Sequence, residues 1–195
     1  MTQIDSKHFI SQNSNPKISM QRFYLDKVKP YLQEKYSHSG DVAKVSKIVL
    51  SRTYKDRSNS KGFASTLDEF SIIAGQKGII THAKKSIASF GITKSDPLGM
   101  KVTLRRKRMY AFLDRLIHLS LPRMRDFQGL NALSFDGYGN YNFGLDEQLM
   151  FPELNAESIE SSQGLNITIV TTAKTDEEGF TLLKALGMPF KNNLK

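Results

Sequence analysis

Two segments of the sequence alternate apolar and polar residues, and each is followed at once by a helical pattern. The first segment runs from Met100 to Arg105 and the second from Leu165 to Thr171. A period of two is typical of a strand that packs one face and leaves the other free. The first strand leads into an apolar helical stripe that Pro122 ends, and the second into a helix that Gly187 closes. Strands therefore alternate with helices along much of the chain.

The N-terminal half predicts two further helices and one strand. Apolar residues recur at helical spacing from Met20 to Tyr36, and Pro30 is expected to bend or divide that helix. Lys47 to Leu50 predict a short strand, and Ser51 to Lys61 a polar, charged loop. A second helix is predicted from Phe63 to Gly75, where the glycine would supply the left-handed terminating residue.

The remaining segments favour hairpin connections. Basic and small residues from Thr81 to Met100 predict an exposed, protruding loop, and the Gly-, Asn- and Tyr-rich stretch from Phe127 to Gly144 predicts an irregular hairpin. A hairpin joins two strands that run in opposite directions. We therefore expect an α+β fold with a mainly antiparallel sheet backed by helices on one side, rather than a doubly wound parallel sheet.

Positive charge is concentrated in the middle of the sequence. The chain has 28 Lys and Arg against 19 Asp and Glu, a formal net charge of +9. Between residues 77 and 125 there are twelve basic residues and two acids, so the rest of the chain is close to neutral. The twelve are Lys77, Lys84, Lys85, Lys94, Lys101, Arg105, Arg106, Lys107, Arg108, Arg115, Arg123 and Arg125. We expect these cations to form one continuous surface for a polyanion, either a nucleic acid or an anionic membrane.

Several kinds of site and segment are excluded or disfavoured. The chain has no cysteine, which excludes disulfides, thiolate zinc sites and a cysteine nucleophile. No apolar run approaches the ~20 residues of a membrane span. Residues 1–19 lack the hydrophobic centre of a secretory signal and the arginines of a transit peptide. They are expected to form a disordered extension before a single domain at residues 20–195.

No grouping of side chains predicts catalysis, a metal site or a cofactor. The four histidines are too scattered to form a local metal-ligand pair. Asp114 and His118 lie one helical turn apart and are interpreted as a surface pair rather than an acid/base dyad. The acids from Asp176 to Glu178 are interpreted as a helix start, in which Thr175 accepts from the Glu178 amide and Glu178 reaches back. A binding protein without a small-molecule substrate is favoured over a nucleic-acid-modifying enzyme.

The basic window contains groups suited to RNA. Lys84 and Lys85 lie among small residues, so that ammonium groups and backbone amides can both approach phosphates. The polar strand face carries Lys101 and Thr103 and leads into arginines whose planar guanidinium groups suit bidentate phosphate contacts. Phe90, in the loop, would either stack on a base or pack under its own loop.

Five segments resemble the bacterial-type ribosomal protein L-five family of the large subunit. They are GQKGIITHAKKSIASFGI, PLGMKVTLRRKRMYAFLDRLI, LPRMRDFQGL, SFDGYGNYNFGLDEQLMFPE and VTTAKTDEEGFTLLKALGMPF, and the resemblance covers residues 22–191. It implies an antiparallel sheet backed by helices, binding to 5S rRNA and large-subunit rRNA, and no catalytic activity or cofactor. It also implies a bridge to a ribosomal protein of the small-subunit head and contact between a basic loop and the elbow of the P-site tRNA.

The resemblance also implies which residues bind rRNA. Gln76 in GQK and Thr103 in KVTLR match family recognition positions, whereas Ser51 stands where the family usually has Asn, so its contact would be shorter or lost. The family pattern RGERM reads RKRM from Arg106 to Met109, with Lys107 adding positive charge. The full predicted rRNA-binding set is Ser51, Gln76, Lys77, Thr81, Lys84, Lys85, Lys101, Thr103, Arg105, Arg106 and Arg108.

The loop that would contact tRNA runs from Ser86 to Leu98. Its predicted contacts are Ser86, Ser89, Phe90, Thr93 and Lys94. Gly91, Ile92 and Thr93 follow Phe90 where the family often has Lys and Arg. The tRNA contact is therefore expected to be weaker, or to be made through Lys94.

The C-terminal segments TTAKTDEEG and LLKALGMPF are most similar to plastid and cyanobacterial members. This similarity implies a plastid ribosome and an organelle-encoded chain, with mitochondrial and bacterial ribosomes as alternatives. The alternative function is that of an RNA-binding regulator outside the ribosome. A membrane-surface protein is a further alternative, which the resemblance does not support.

Overall fold

A computed structural model of the chain describes residues 19–36, 42–54, 60–154 and 162–191. The predicted disordered extension lies outside these ranges except for Ser19, and residues 55–59 of the predicted charged loop lie outside them as well.

The helices are labelled α1 to α4 in chain order. Helix α1 has three consecutive pieces, which are Met20–Phe23, the π-helical turn Tyr24–Val28 and Lys29–Tyr36. The others are α2 (Ser60–Ala74), α3 (Arg106–Arg115, continued by the π-helical turn Leu116–Ser120 and the 3₁₀ turn Leu121–Arg123) and α4 (Asp176–Ala185). Pro30 was expected to bend or divide this helix. The irregularity lies one turn upstream of Pro30, where the amide of Lys29 donates to the carbonyl of Tyr24, five residues earlier, in the π-helical turn.

Within the described ranges, five strands form one sheet in which every neighbouring pair is antiparallel. The strands are β1 (Val45–Thr53), β2 (Ile79–His82), β3 (Pro97–Leu104), β4 (Tyr141–Leu145) and β5 (Leu165–Thr171). Their order across the sheet is β2-β3-β1-β5-β4. The predicted α+β class with an antiparallel sheet is confirmed.

The core lies between one face of this sheet and the helices. Leu50 of β1, Val102 of β3 and Ile167 of β5 lie at matching register positions on that face, and each is at most 2% exposed. They join one hydrophobic cluster with helical residues such as Phe70 and Phe112. Burying a side chain of this size stabilises the fold by about 1.5–3 kcal/mol. Because successive side chains of a strand point to opposite faces of the sheet, the other side chains of these strands point away from the helices.

Strand β1 is longer than its sequence predicted. The expected strand ended at Leu50, but Ser51, Arg52 and Thr53 continue it and pair with β3. Arg52 breaks the apolar pattern, yet its side chain is buried with its Nη1 3.7 Å from a carboxylate oxygen of Glu69 on α2. Ion pairing across two elements is not visible in a local pattern, so the polar end of the strand resembled a loop.

The predicted loop from Thr81 to Met100 is shorter than expected. Thr81 and His82 end strand β2, and strand β3 begins at Pro97, because these residues pair across a hairpin. Arg105 was predicted to continue the polar face of β3 but lies beyond its end, as the residue that precedes helix α3. The exposed loop comprises residues 83–96.

Both ends of helix α4 follow from the sequence, with one correction. Thr175 accepts a hydrogen bond from the Glu178 amide, and Gly187 follows the helix with a positive φ of 96°. The Glu178 carboxylate accepts from the amide of Lys174 rather than from that of Thr175. Gly75 likewise ends α2 with a φ of 64°.

No helix within the described ranges has the length and apolar character needed to cross a membrane. Within the same ranges, no group of His, Cys, Asp and Glu side chains is arranged to hold a metal ion.

Candidate nucleic-acid interface

The sheet face opposite the core is largely polar, and we call it the open face. One row of residues on it crosses all five strands: Ile79 lies opposite Lys101, which lies opposite Ser51, followed by Asn166 and Gly144. A neighbouring row consists of Thr103, Val49, Thr168 and Asn142. Strands lie ~4.8 Å apart, so the row across five strands is about 19 Å long. The open face is therefore wide enough to contact several nucleotides.

Four residues of the predicted rRNA-binding set lie on the open face. Lys101 and Ser51 are direct cross-strand neighbours, and Thr103 lies two residues further along β3. Thr81, on edge strand β2, pairs with Gly99 on the other side of Lys101. Lys101 and Thr103 are exposed, while Ser51 and Thr81 are half-buried. The fold thus gathers residues from three strands that are up to about 50 positions apart in sequence.

The open face also includes polar residues that the predicted site lacks. Asn166 and Asn142 are exposed and Thr168 is half-buried, on strands β5 and β4. The alternation of β5 indicated that Asn166 and Thr168 share a face of that strand, and it gave no indication for Asn142. It did not indicate that β5 lies beside β1, which is what places Asn166 next to Ser51.

A second group of predicted residues lies at the edge of the sheet. Ile79 pairs with Lys101 of β3, and Gln76 and Lys77 precede Ile79 in the chain. There the Nη1 atom of Arg108 donates a hydrogen bond to Oε1 of Gln76 over 3.0 Å. Lys77, Arg105, Arg106 and Arg108 are all exposed. This group adds cations beside the neutral polar rows.

The third group is the loop of residues 83–96, which is fastened by its own hydrogen bonds. Ile87 and Ile92 exchange backbone hydrogen bonds of 2.8 and 3.1 Å. At its base, the amide of Ala83 donates to the carbonyl of Asp96, and that of Ser95 to the carbonyl of Ala83. A loop with this much internal pairing loses little further conformational entropy when it binds.

Several side chains of this loop are exposed, and the side chain of Ser86 forms a hydrogen bond within the loop. Lys84, Lys85, Ser89 and Lys94 are exposed, and Phe90 is 71% exposed near the tip, so its ring is not packed under the loop. Thr93 is exposed as well, and its amide donates to the Asp96 carboxylate. The Ser86 hydroxyl accepts from the amide of Lys94 over 2.9 Å, so it helps to shape the loop.

The expectation of one continuous cationic surface is wrong. Arg115 donates to the Glu153 carboxylate and to the carbonyl of Ile73 in the last turn of α2. Arg123 and Arg125 line a pocket with the acids Asp146 and Glu147. Arg123 lies at the far end of α3, about 25 Å from Arg106 at the helical rise per residue, and Arg125 follows two residues later. A run of charge in sequence carries no information on such partners.

Asp114 and His118 form the surface pair that the sequence predicted. The His118 Nδ1 lies 2.9 Å from a carboxylate oxygen of Asp114, on the exposed side of α3. The hydrogen bond to the Asp114 side chain raises the pKa of His118, which partial burial opposes. The pair is far along α3 from the open face.

Comparison with known proteins identifies the family. Residues 97–190 match the model of the C-terminus of the ribosomal protein L-five family. The large ribosomal subunit protein uL5c of Mesostigma viride is 53% identical over 175 residues, which cover 88% of this chain and 95% of the relative. The uL5c of Rhodomonas salina is 52% identical over 178 residues, covering 90% and 98% of the two chains.

A cyanobacterial relative is similar to nearly the same extent. The large ribosomal subunit protein uL5 of Acaryochloris marina is 50% identical over 179 residues, which cover 90% of this chain and 99% of the relative. The relatives are ribosomal proteins rather than enzymes, and the plastid type recurs among them. The chain therefore belongs to the ribosomal protein L-five family, as a plastid-type structural protein of the large ribosomal subunit without enzymatic activity.

Proposed function

We propose that this protein binds 5S rRNA through the open face and the cations beside it. The observation that carries the proposal is the sheet face on which Lys101, Thr103, Asn142 and Asn166 are exposed, flanked by exposed basic residues. Neutral hydroxyl and amide groups fix the register of a folded RNA, while cations replace phosphate counterions. The neutral hydroxyl groups come from Ser51, Thr81 and Thr103. Lys101 adds one ammonium group among them.

The edge and loop cations supply the phosphate contacts. Within the part of the chain that is described, Lys84, Lys85, Arg105 and Arg106 form no ion pair with a carboxylate. Their full charge is available to a polyanion, unlike that of Arg115. Lys77 and Arg108 lie in the same group and extend it towards the open face.

We propose in addition that the loop of residues 83–96 contacts the P-site tRNA. Its internal hydrogen bonds keep Ser89, Phe90, Thr93 and Lys94 in place at the tip. An exposed aromatic ring in a loop that also has exposed cations suits stacking on an unpaired base. A contact to large-subunit rRNA and a bridge to a ribosomal protein of the small-subunit head complete the proposal, and both rest on the family resemblance.

The charge of the loop is tested by salt-dependent binding. The purified protein is titrated against 5S rRNA and a scrambled RNA of equal length at 50 and 200 mM salt. Six to ten phosphate contacts would reduce affinity about 10³ to 10⁵-fold across that interval. Lys84→Ala with Lys85→Ala should weaken binding and lower the salt slope by about one unit per lost contact.

The matched control removes the same amount of charge at Arg123 and Arg125, at and just beyond the C-terminal end of α3. Arg123→Ala with Arg125→Ala should leave both the affinity and the salt slope close to those of the unchanged protein, because these arginines line a pocket together with Asp146 and Glu147, away from the proposed interface. Equal effects of the two double variants would show that net charge alone drives binding. A protein that binds both RNAs equally would contradict 5S rRNA recognition itself.

A further inference from the structure

Gln76 is a side chain whose two polar ends have opposite hydrogen-bonding character. Its Oε1 atom only accepts hydrogen bonds and its Nε2 group only donates them. A glutamine can turn either end towards a ligand unless a neighbour decides the orientation. Arg108 is such a neighbour, since its Nη1 lies 3.0 Å from the Gln76 oxygen.

The chemistry of arginine permits one orientation of the amide. The guanidinium group has five N–H donors and no acceptor, and it stays protonated in proteins. It can therefore hold Oε1 of Gln76 but would repel the Nε2 group. With Oε1 engaged, Nε2 is directed away from Arg108, and it has no hydrogen-bond partner among the described residues.

The backbone on both sides of this contact is constrained. Gly75 ends α2 with a φ of 64°, and a Cβ at Gly78 would lie 2.9 Å from the ring of Phe70. Gln76 is thus held between a helix end and a tight packing contact. Arg108 lies in the first turn of α3, which buries Met109 and Phe112 in the core. The two side chains meet because both of their elements are anchored.

We propose that Arg108 is a positioning residue that makes Gln76 a donor-only contact for RNA. The groups that Gln76 then recognises are hydrogen-bond acceptors, such as phosphate oxygens, the ribose 2′-oxygen or a base carbonyl. This inference rests on the proposed binding of 5S rRNA and specifies the polarity of one of its contacts. It gives Arg108 a role distinct from that of a phosphate-binding cation.

Gln76→Glu tests the polarity of the contact. The carboxylate keeps an acceptor for Arg108, and the charge-assisted hydrogen bond preserves the local arrangement. It removes both donors. The measured quantity is the ratio of the affinities for 5S rRNA and for scrambled RNA at one salt concentration, which cancels uniform charge repulsion. That ratio should fall roughly 3- to 10-fold, the loss of about one hydrogen bond, with an unchanged melting temperature.

A double-variant cycle tests the role of Arg108. When Gln76 is present, Arg108→Met should lower the same ratio by a similar factor, since the amide of Gln76 is then free to rotate. In a Gln76→Ala background, Arg108→Met should not lower the ratio further. A structural role of Arg108 alone would move the melting temperature and not the ratio.

The outcomes separate this inference from the proposed function. If the unchanged protein does not prefer 5S rRNA, the proposed function fails. If the preference exists and Gln76→Glu keeps it, the donor-only contact is wrong. If Arg108→Met lowers the ratio equally in both backgrounds, Arg108 contacts RNA independently and does not position Gln76.

Discussion

Arg106 begins helix α3 with a backbone φ of +52°. This left-handed region strains every residue with a Cβ and costs about 1 kcal/mol. The family pattern RGERM has five residues, and when it is placed over Arg105 to Met109 its glycine falls at this position. The alignment of RGERM with RKRM over Arg106 to Met109 is one residue too short, so it omits the replacement of this glycine by Arg106. Arg106 thus adds a cation at the sheet edge at the expense of backbone strain.

Arg106→Gly should separate stability from RNA binding. The free energy of unfolding should rise by about 0.5–1 kcal/mol as the strain is relieved, which thermal or urea unfolding measures. The salt slope of 5S rRNA binding should fall by about one unit because one phosphate contact is lost. Arg106→Lys is the control, since it keeps charge and strain and should resemble the unchanged protein in both measurements. A glycine variant that binds with an unchanged slope would remove Arg106 from the interface.

At the scale of elements, the start of helix α4 joins the helix to the hairpin before β4. The Asp176 carboxylate accepts from the amides of Gly137 and Gly139 over 3.1 and 2.8 Å. Gly139 and Gly179 are in such close contact that a Cβ on Gly179 would lie 2.7 Å from the Gly139 carbonyl oxygen. Asp176 and Glu178 at this helix start therefore have structural roles, as the sequence indicated.

Thr175→Ala should destabilise the fold by about 1 kcal/mol. The variant leaves the Glu178 amide without the hydroxyl acceptor to which it donates at the helix start, and such caps contribute 0.5–2 kcal/mol, or about 1 in most proteins. Urea unfolding followed by circular dichroism measures the change. Thr175→Ser keeps the hydroxyl and should be close to neutral. Equal stability of the alanine and serine variants would mean that the 3.3 Å contact contributes nothing.

At the scale of the whole molecule, an aromatic cluster ties the C-terminal segment to the sheet. Tyr141 of β4 is fully buried, with ring centroids of Phe135 and Phe190 at 4.8 and 5.4 Å. Its hydroxyl donates to the carbonyl of Asn131 over 2.8 Å. Leu130 pairs with Phe190 in a parallel bridge. Burial raises the pKa of Tyr141 to about 12, although a hydrogen bond with Ser134 opposes this.

Tyr141→Phe should reduce stability near neutral pH and flatten its alkaline decline. Near pH 7, the lost hydrogen bond should cost about 1 kcal/mol. The folded tyrosine keeps its proton up to a pKa of about 12, against about 10 in an unfolded chain. Its stabilising effect is therefore complete below pH ~10 and is lost as the pH rises from there towards 12.

The comparison is made by urea unfolding at several pH values between about 7 and 11. The decline above pH ~10 should be less steep in Tyr141→Phe, because the variant has no group to ionise at that site. Tyr138→Phe, at a tyrosine that is 77% exposed, is the control. Parallel curves for the two variants would contradict a perturbed Tyr141.

Local pattern alone determined most elements of this protein. The alternation in β3 and β5 specifies which residues face the core, and the spacing before Gly75 and Gly187 specifies two helix ends. These signals are local, because a strand repeats every two residues and a helix every 3.6. The family resemblance supplied Gln76, Thr103 and Ser51 as candidates for RNA contacts, and their role stays a prediction.

Only the tertiary structure decided how those elements combine. Strand order places β1 between β3 and β5, which brings Ser51 beside both Lys101 and Asn166. In the fold, Arg115 forms an ion pair with Glu153, and Arg52 lies buried at the end of β1 near Glu69. Strand pairing and ion pairing join residues far apart in sequence. Their energies depend on distances in space, and for that reason no local pattern of residues contains them.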